Sequence, residues 1–378
     1  MAKRRKQASK AGRPSTSQRA IGMRTHPSEL IIEVQPSQRV DIIDVRGLLS
    51  DPHSEALDAF PRALYCSYHT TAGFLEQGLA ARLDGTRHGV TRYLSVFQTM
   101  FPEGAGYEHD KMHLRAELSE EQRRVEPRNA DSHLAFIGAG LRNCVTYVNR
   151  PQEPVYFVDL DGVNEGRPRR RLASVLGFHR EEVVSQTCLT VPVSAHPVDS
   201  VNLKDPRLGI YEQLQELVGR HDVTKGRIHV TLSSGERHAG LTVNEYETLL
   251  MRHDLMEVLR DPLRYVAEKG RNMLAAPRAI PNRTIEYAKY DMVRVFNELF
   301  DTFGMNETLV EKILARLIAV PASRFLRMKR SVSLLVTDRE CTGRGAVVQG
   351  CYQSPILVQW HKAAKQQRTV DITLTRFV

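Results

Sequence analysis

Long apolar runs and cysteines are scarce in this chain of 378 residues. Its longest apolar runs, residues 331–337 and 355–360, are far shorter than the roughly 20 residues that a membrane-spanning helix needs. The five cysteines form no CxxC pair, which argues against a thiolate zinc ribbon and against a disulfide framework. The N-terminus has no apolar stretch of the kind that marks a secretory signal. We therefore expect a cytoplasmic protein with no membrane association.

Acidic residues are absent from the first 25 positions, which hold eight lysines and arginines. This segment supplies most of the formal net charge of +9. Because it is rich in polar and small residues, we expect residues 1–27 to form a disordered basic arm. Two interpretations are open. The arm binds nucleic acid or another polyanion through counterion release, or it only solubilises the terminus.

The chain as a whole has an ordinary globular composition, with 41% hydrophobic and 26% charged residues. Strand-like runs alternate with polar connectors, and the order of elements in residues 28–195 returns in residues 196–378. We predict two α+β domains of one type, each with a mixed or antiparallel β core and packed helices. The second domain carries a helical insertion at about 265–325, with helices over 284–303 and 307–318. Further helical patterns cover residues 80–100 and 244–258.

Three motifs follow one another in the first half. They are HTTAG at 69–73, YEHD at 107–110 and NADSHL at 129–134. Together with VYFVDLDGVNEGRPRRR at 155–171, they resemble the YjbQ-like family, also called secondary thiamine-phosphate synthase. In the second half, AGLTVNEY at 239–246 resembles the family's ASLTINEN segment, and the chain is therefore interpreted as a diverged tandem duplication. The resemblance implies the family's fold and a trimeric assembly.

The histidines of these motifs are candidates for a metal site. No local metal-binding motif has their spacing, but three imidazoles with an open fourth position describe a catalytic zinc site. The resemblance implies that His69, His109 and His133 converge in one pocket and bind a divalent metal, most simply zinc. Asp110 is expected to orient an imidazole there. His113, with Lys111 and Arg115 near it, is expected on an exposed helix face.

The same pocket is also suited to phosphate. Histidines, hydroxyls and arginines together can bind a phosphate and supply general acid–base catalysis. The candidate phosphate-binding residues are Thr70, Thr71, Arg167 and Arg169. The resemblance implies a thiamine-phosphate-synthase-like side activity and a small phosphorylated substrate. The chain is then a metal- or phosphate-dependent transferase or hydrolase, and the alternative is a non-catalytic protein that binds nucleic acid through residues 1–25.

Each half keeps a different part of the family pattern. Glu236 stands where the second half would have its first histidine, and the first half has Glu76-Gln77-Gly78 in place of the family's Ile-Asn-Glu. Glu236, Asn244 and Glu245 could therefore complete a site across an interface with the first half. They could equally belong to a degenerate repeat that serves assembly alone.

Overall fold

The computed structural model describes residues 26–49, 51–151, 153–260, 265 and 328–378. Residues 1–25 of the predicted basic arm and the predicted helices over 284–303 and 307–318 lie outside these residues. No helix within the described ranges is long and apolar enough to cross a membrane.

The first half builds two main sheets and five helices. Its strands are β1 (Ser28–Val34), β2 (Asp41–Asp44), β3 (Arg62–Ser67), β4 (Ala72–Phe74), β5 (Cys144–Val148), β6 (Tyr156–Asp159), β7 (Val163–Asn164), β8 (Arg167–Pro168) and β9 (Arg171–Phe178). Its helices are α1 (Asp51–Asp58), α2 (Gln77–Arg82), α3 (Arg87–Met100), α4 (Glu120–Val125) and α5 (Ala130–Gly138). The larger sheet has the order β1-β9-β3-β5, the smaller one has the order β2-β6-β4, and β7 pairs with β8.

The second half repeats this plan. Its elements are β10 (Glu181–Pro192), β11 (Asp199–Asn202), α6 (Ile210–Arg220), β12 (Lys225–Leu232), β13 (Ala239–Asn244), a π-helix (Leu250–Asp254), α7 (Leu255–Arg260), β14 (Ser331–Thr337), β15 (Ala346–Val348), β16 (Ser354–Gln359) and β17 (Gln367–Phe377). The sheets have the orders β10-β17-β12-β14-β15 and β11-β16-β13.

The two strand orders correspond position by position. The series β1-β9-β3-β5 matches β10-β17-β12-β14, and β2-β6-β4 matches β11-β16-β13. All the paired strands are antiparallel. The predicted α+β class is therefore confirmed, and each half presents the same pair of sheets.

The halves share one hydrophobic core. The buried faces of α3 and α5, with Phe97 and Leu134, belong to the same cluster as Leu250, Leu255 and Ile356 of the second half. Where the large sheets meet, the Phe178 and Phe377 rings are stacked with their centroids 4.1 Å apart. This shared burial packs the π-helix, α7 and β16 of the second half together with α3 and α5 of the first half.

Two helix predictions differ from the structure. The region 80–100 is divided between α2 and α3, because Asp84 and Gly85 both have a φ of 60°, which ends the first helix. The helix predicted to begin at Asn244 is wrong at its start, since Asn244 is the last residue of β13. Every residue of β13 is buried, so the strand lacks the alternation that distinguishes a half-buried strand from a helix.

Candidate functional site

His109, His133 and Glu245 form one compact group. Each offers a ligand atom, and these atoms all lie within 4.8 Å of one another. Both imidazoles are fully buried. Two residues of the group belong to the first half and the third to the second half, so the group exists only because the halves pack together.

Different kinds of local structure present the three side chains. His133 lies on α5, a helix in which all nine residues are buried. A helix that is apolar or small on all sides is expected at the centre of a domain. His109 lies in the irregular segment between α3 and α4, and Glu245 directly follows β13.

A hydrogen bond fixes the orientation of each imidazole. Nδ1 of His109 lies 3.0 Å from Oδ1 of Asp110, the residue expected to orient an imidazole. Nδ1 of His133 lies 2.7 Å from Oδ1 of Asn244, an oxygen that also accepts the N–H of Glu245. Since both acceptors are oxygens, both Nδ1 atoms carry the proton. This tautomer leaves the Nε2 atoms as the lone pairs available to a ligand.

Neither Nε2 atom has a hydrogen-bond partner among the described residues, although both are buried. Nε2 of His133 lies 3.5 Å from Oε2 of Glu245, at the limit of a hydrogen bond. Two ligand atoms that share a tetrahedral zinc ion at about 2.0–2.1 Å are roughly 3.4 Å apart. His133 Nε2 and Glu245 Oε2 have this spacing, and all three ligand atoms lie within 4.8 Å of one another. Two orphaned buried nitrogens beside a carboxylate fit a divalent metal, and two nitrogens with one oxygen suit zinc.

The surroundings shift the pKa values of the two imidazoles in opposite directions. Burial, and then the neighbouring His109, lowers the pKa of His133 to about 3, so this ring is neutral at physiological pH. Burial opposes the charging of His109 as well, but the hydrogen bond and charge of Asp110 outweigh it and raise the pKa of His109. At most one ring of the pair therefore carries a proton that a metal would have to displace.

Arg115 supports Glu245 from the side. Its side chain is buried and lies 3.4 Å from Glu245, 3.3 Å from Glu126 and 2.7 Å from Glu117. The expectation of an exposed face holds for His113, which is exposed in a short 3₁₀ turn (Met112–Leu114), but it is wrong for Arg115. The burial of Arg115 could not be predicted from the sequence, because the carboxylates around it come from three separate segments.

His69 is placed differently from the other two histidines. Its Nε2 accepts the backbone N–H of Leu172 at 2.8 Å. His69 does not belong to the metal-compatible group, which consists of His109, His133 and Glu245. Burial, followed by the charges of Arg171 and Arg169, lowers the pKa of His69 to about 3. The ring is therefore neutral, with its proton on Nδ1.

The second half has a side chain that makes the same backbone contact as His69. Glu236 occupies the equivalent place, since its Oε1 accepts the backbone N–H of Thr369 at 2.8 Å. The following backbone contacts also match. Leu160 donates to Thr71 O, and Trp360 donates to His238 O. In both halves the side chain accepts a backbone N–H at the start of the last strand, and Glu236 is bound there by Arg368 as well.

Replacing His69 with glutamate is expected to leave zinc stoichiometry and affinity unchanged. A carboxylate at this position can accept the Leu172 N–H as Glu236 accepts the Thr369 N–H in the second half. Elemental analysis and calorimetric zinc titration of the variant test this. Loss of zinc from the variant would instead make His69 a ligand, as the motif resemblance implied.

Of the predicted phosphate-binding residues, Thr70 and Thr71 directly follow His69, and the charge of Arg169 acts on it. The Thr71 hydroxyl lies 3.4 Å from the Arg171 guanidinium, and the Thr70 carbonyl accepts the Asn244 amide at 3.1 Å. Arg169 pairs with Asp161. Arg167 and Arg169 line a cleft of about 260 Å³ together with Val125, Pro127, Asn164, Glu165 and Pro168. The Asn244 bond connects the His69 segment to the metal-compatible group.

A buried ion pair supports this region. Arg171 donates to both carboxylate oxygens of Asp159 at 2.6 and 2.8 Å, and to the Asp161 carbonyl at 2.6 Å. Asp159 is 0% and Arg171 2% exposed. The second half keeps the arginine but has the neutral Gln359 in place of Asp159, to which Arg368 donates at 3.2 Å, and the ionic partner of Arg368 is Glu236.

No protein-family model and no curated protein matches the sequence. Solved structures do match. A YbjQ-like protein of unknown function from Sulfolobus solfataricus P2 is 14% identical with a TM-score of 0.28, and the match covers 52% of this chain and 99% of that one. A hypothetical protein from Aeropyrum pernix K1 is 17% identical with a TM-score of 0.27, covering 50% and 98%.

A third structure is an uncharacterized conserved protein of the YjbQ/UPF0047 family from Clostridium acetobutylicum. It is 11% identical with a TM-score of 0.24, and the match covers 51% of this chain and 99% of that one. The chain is similar to proteins of the family that its motifs resemble. Similarity at this level assigns it no activity and no ligand.

Proposed function

We propose that the chain is a metal-dependent enzyme of the YjbQ-like type, which binds one zinc ion through His109, His133 and Glu245. The observation that carries the proposal is the pair of buried Nε2 atoms without partners beside the Glu245 carboxylate. Two nitrogens and one carboxylate oxygen leave a coordination position open, as in catalytic sites. When bound, the ion supplies Lewis-acid polarisation of a substrate oxygen or activation of a water molecule.

The chain's own residues would do the remaining work. Asp110 and Asn244 hold the protons on the two Nδ1 atoms, so the lone pairs stay on the Nε2 atoms. Arg115 lies 3.4 Å from Glu245 and orients its side chain. A small phosphorylated substrate suits the cleft lined by Arg167 and Arg169, whose guanidinium groups favour anions.

The duplication supplies one such site per chain. Ala72 and Ala239 are equivalent, because Ala72 pairs with Asp159 in the first half as Ala239 pairs with Gln359 in the second. Counting forward from these two residues, the first-half counterparts of Asn244 and Glu245 are Gln77 and Gly78. The sequence also has no histidine between His253 and His361, the stretch that leads to the last strands of the second half. A reciprocal site with the same ligands is therefore missing.

Purified protein reloaded with zinc is expected to contain about one zinc per chain by elemental analysis. Because a ligand that binds only the folded state stabilises it, zinc at 100 times its Kd is expected to add about 2.7 kcal/mol to the free energy of unfolding. Thermal denaturation with and without a chelator measures the shift. A chain that takes up no zinc after reloading, and whose melting is unaffected by zinc, would contradict the proposal.

A further inference from the structure

The segment that carries His109 has no regular structure of its own. Residues 101–111, all of which are described, contain no helix and no strand. His133 is held by a buried helix and Glu245 by the end of a strand, but the backbone of His109 has no such support. Something outside the segment must fix its position, because a metal ligand has to be placed within a fraction of an ångström.

Asp254 provides that support. It is fully buried, and its carboxylate accepts two consecutive backbone N–H groups, that of Glu108 at 3.0 Å and that of His109 at 2.9 Å. Hydrogen bonds to an ionised acceptor are roughly twice as strong as neutral ones. The two oxygens of one buried carboxylate therefore fix the orientation of the two successive peptide units that precede the His109 side chain.

The position of Asp254 depends on an irregular helix. Asp254 is the last residue of the π-helix, after which the chain continues as α7. A π-helical turn inserts a residue and changes the direction of the side chains that follow, and such turns are frequent at functional sites. One segment therefore makes two contributions to the site. It begins with Glu245, a candidate ligand, and it ends with Asp254, which binds the backbone of His109.

We propose that Asp254 is the positioning residue for His109, so that the second half sets the geometry of a ligand in the first half. This inference rests on the proposed function, because it describes the same metal site. Asp254 is not one of the metal-compatible residues. It acts through the backbone of residues 108 and 109.

The test compares Asp254→Asn with a matched control, Asp338→Asn. Asp338 also accepts two backbone N–H groups, those of Thr342 at 2.9 Å and Gly343 at 2.6 Å, but in an exposed loop. An asparagine at 254 keeps one acceptor and turns an N–H donor toward a peptide N–H. Zinc affinity is expected to fall by about 10–100-fold in Asp254→Asn, as for other residues that orient ligands, and to stay unchanged in Asp338→Asn.

Two further readouts separate positioning from general stability. The visible spectrum of the cobalt-substituted protein is expected to change in Asp254→Asn, since it reports coordination geometry. Hydrogen exchange by mass spectrometry is expected to speed up at residues 108 and 109. If Asp254→Asn does not fold, Asp254→Glu takes its place, since the added methylene shifts the same carboxylate.

The outcomes distinguish the two proposals. Zinc affinity and cobalt spectrum equal to those of the unmodified chain would overturn the role of Asp254 and leave the metal site standing. If the unmodified chain binds no metal, the proposed function fails, and hydrogen exchange decides alone. Faster exchange confined to residues 108 and 109 would support the role of Asp254, and unchanged exchange would overturn it.

Discussion

Replacing His109 or His133 with alanine is expected to weaken zinc binding by at least about 100-fold, a loss of roughly 3 kcal/mol from the 10–16 kcal/mol typical of a full set of protein ligands. Two of three protein ligands remain in either variant. Because the lost imidazole is fully buried, bulk water does not directly take its place as a ligand. Titration with a chromophoric chelator of known affinity measures the change.

The chain offers a matched control for this experiment. His113→Ala removes an exposed imidazole from the same segment as His109, and it is expected to leave zinc affinity unchanged. Glu245→Gln keeps the size of the third ligand and removes its charge, so it is expected to weaken binding as well. Equal zinc affinity in His109→Ala, His133→Ala and His113→Ala would show that the ion binds elsewhere.

Replacing Arg171 with methionine is expected to lower the free energy of unfolding by about 3–5 kcal/mol, the usual cost of removing one partner from a buried ion pair. The substitution leaves the fully buried Asp159 carboxylate without its counter-ion and the Asp161 carbonyl without this donor. Methionine has a similar length, so the loss comes mainly from charge and hydrogen bonding. Chemical denaturation monitored by circular dichroism measures it.

The neighbouring Arg170 is the control. It pairs with Glu33 at 2.5 Å, but the two side chains are 72% and 51% exposed. Because solvent screens such a pair, Arg170→Met is expected to cost no more than about 1 kcal/mol. If Arg171→Met were as stable as Arg170→Met, the Asp159 carboxylate would have to be protonated or hydrated in the folded chain.

The sequence was most informative where a residue acts through its immediate surroundings. His109, His133 and Asp110 stand in recognisable motifs, and the structure brings all three together. Asn244 and Glu245 are candidates because they resemble a family segment, and both contact His133, a residue of the first half. The repeated order of elements along the chain could be predicted because each half keeps the same succession of apolar runs.

The contacts of Asp254, Arg115 and His69 could not be predicted. The role of Asp254 depends on a π-helical turn and on backbone N–H groups, neither of which leaves a mark in the sequence. Arg115 resembled a surface residue because its three carboxylate partners are scattered along the chain. The place of His69 became clear only from the backbone bond that Glu236 repeats in the second half.

The division of the site between the halves has a consequence for how the chain matures. A distance of 111 residues separates His133 from Asn244, the amide that orients it, and Asp254 comes later still. During synthesis the N-terminal half emerges and begins to fold first. It exposes two histidines without their carboxylate until the second half has been made and docked. Zinc would therefore bind late in biogenesis, and a chain that holds zinc would be one whose two halves have already assembled.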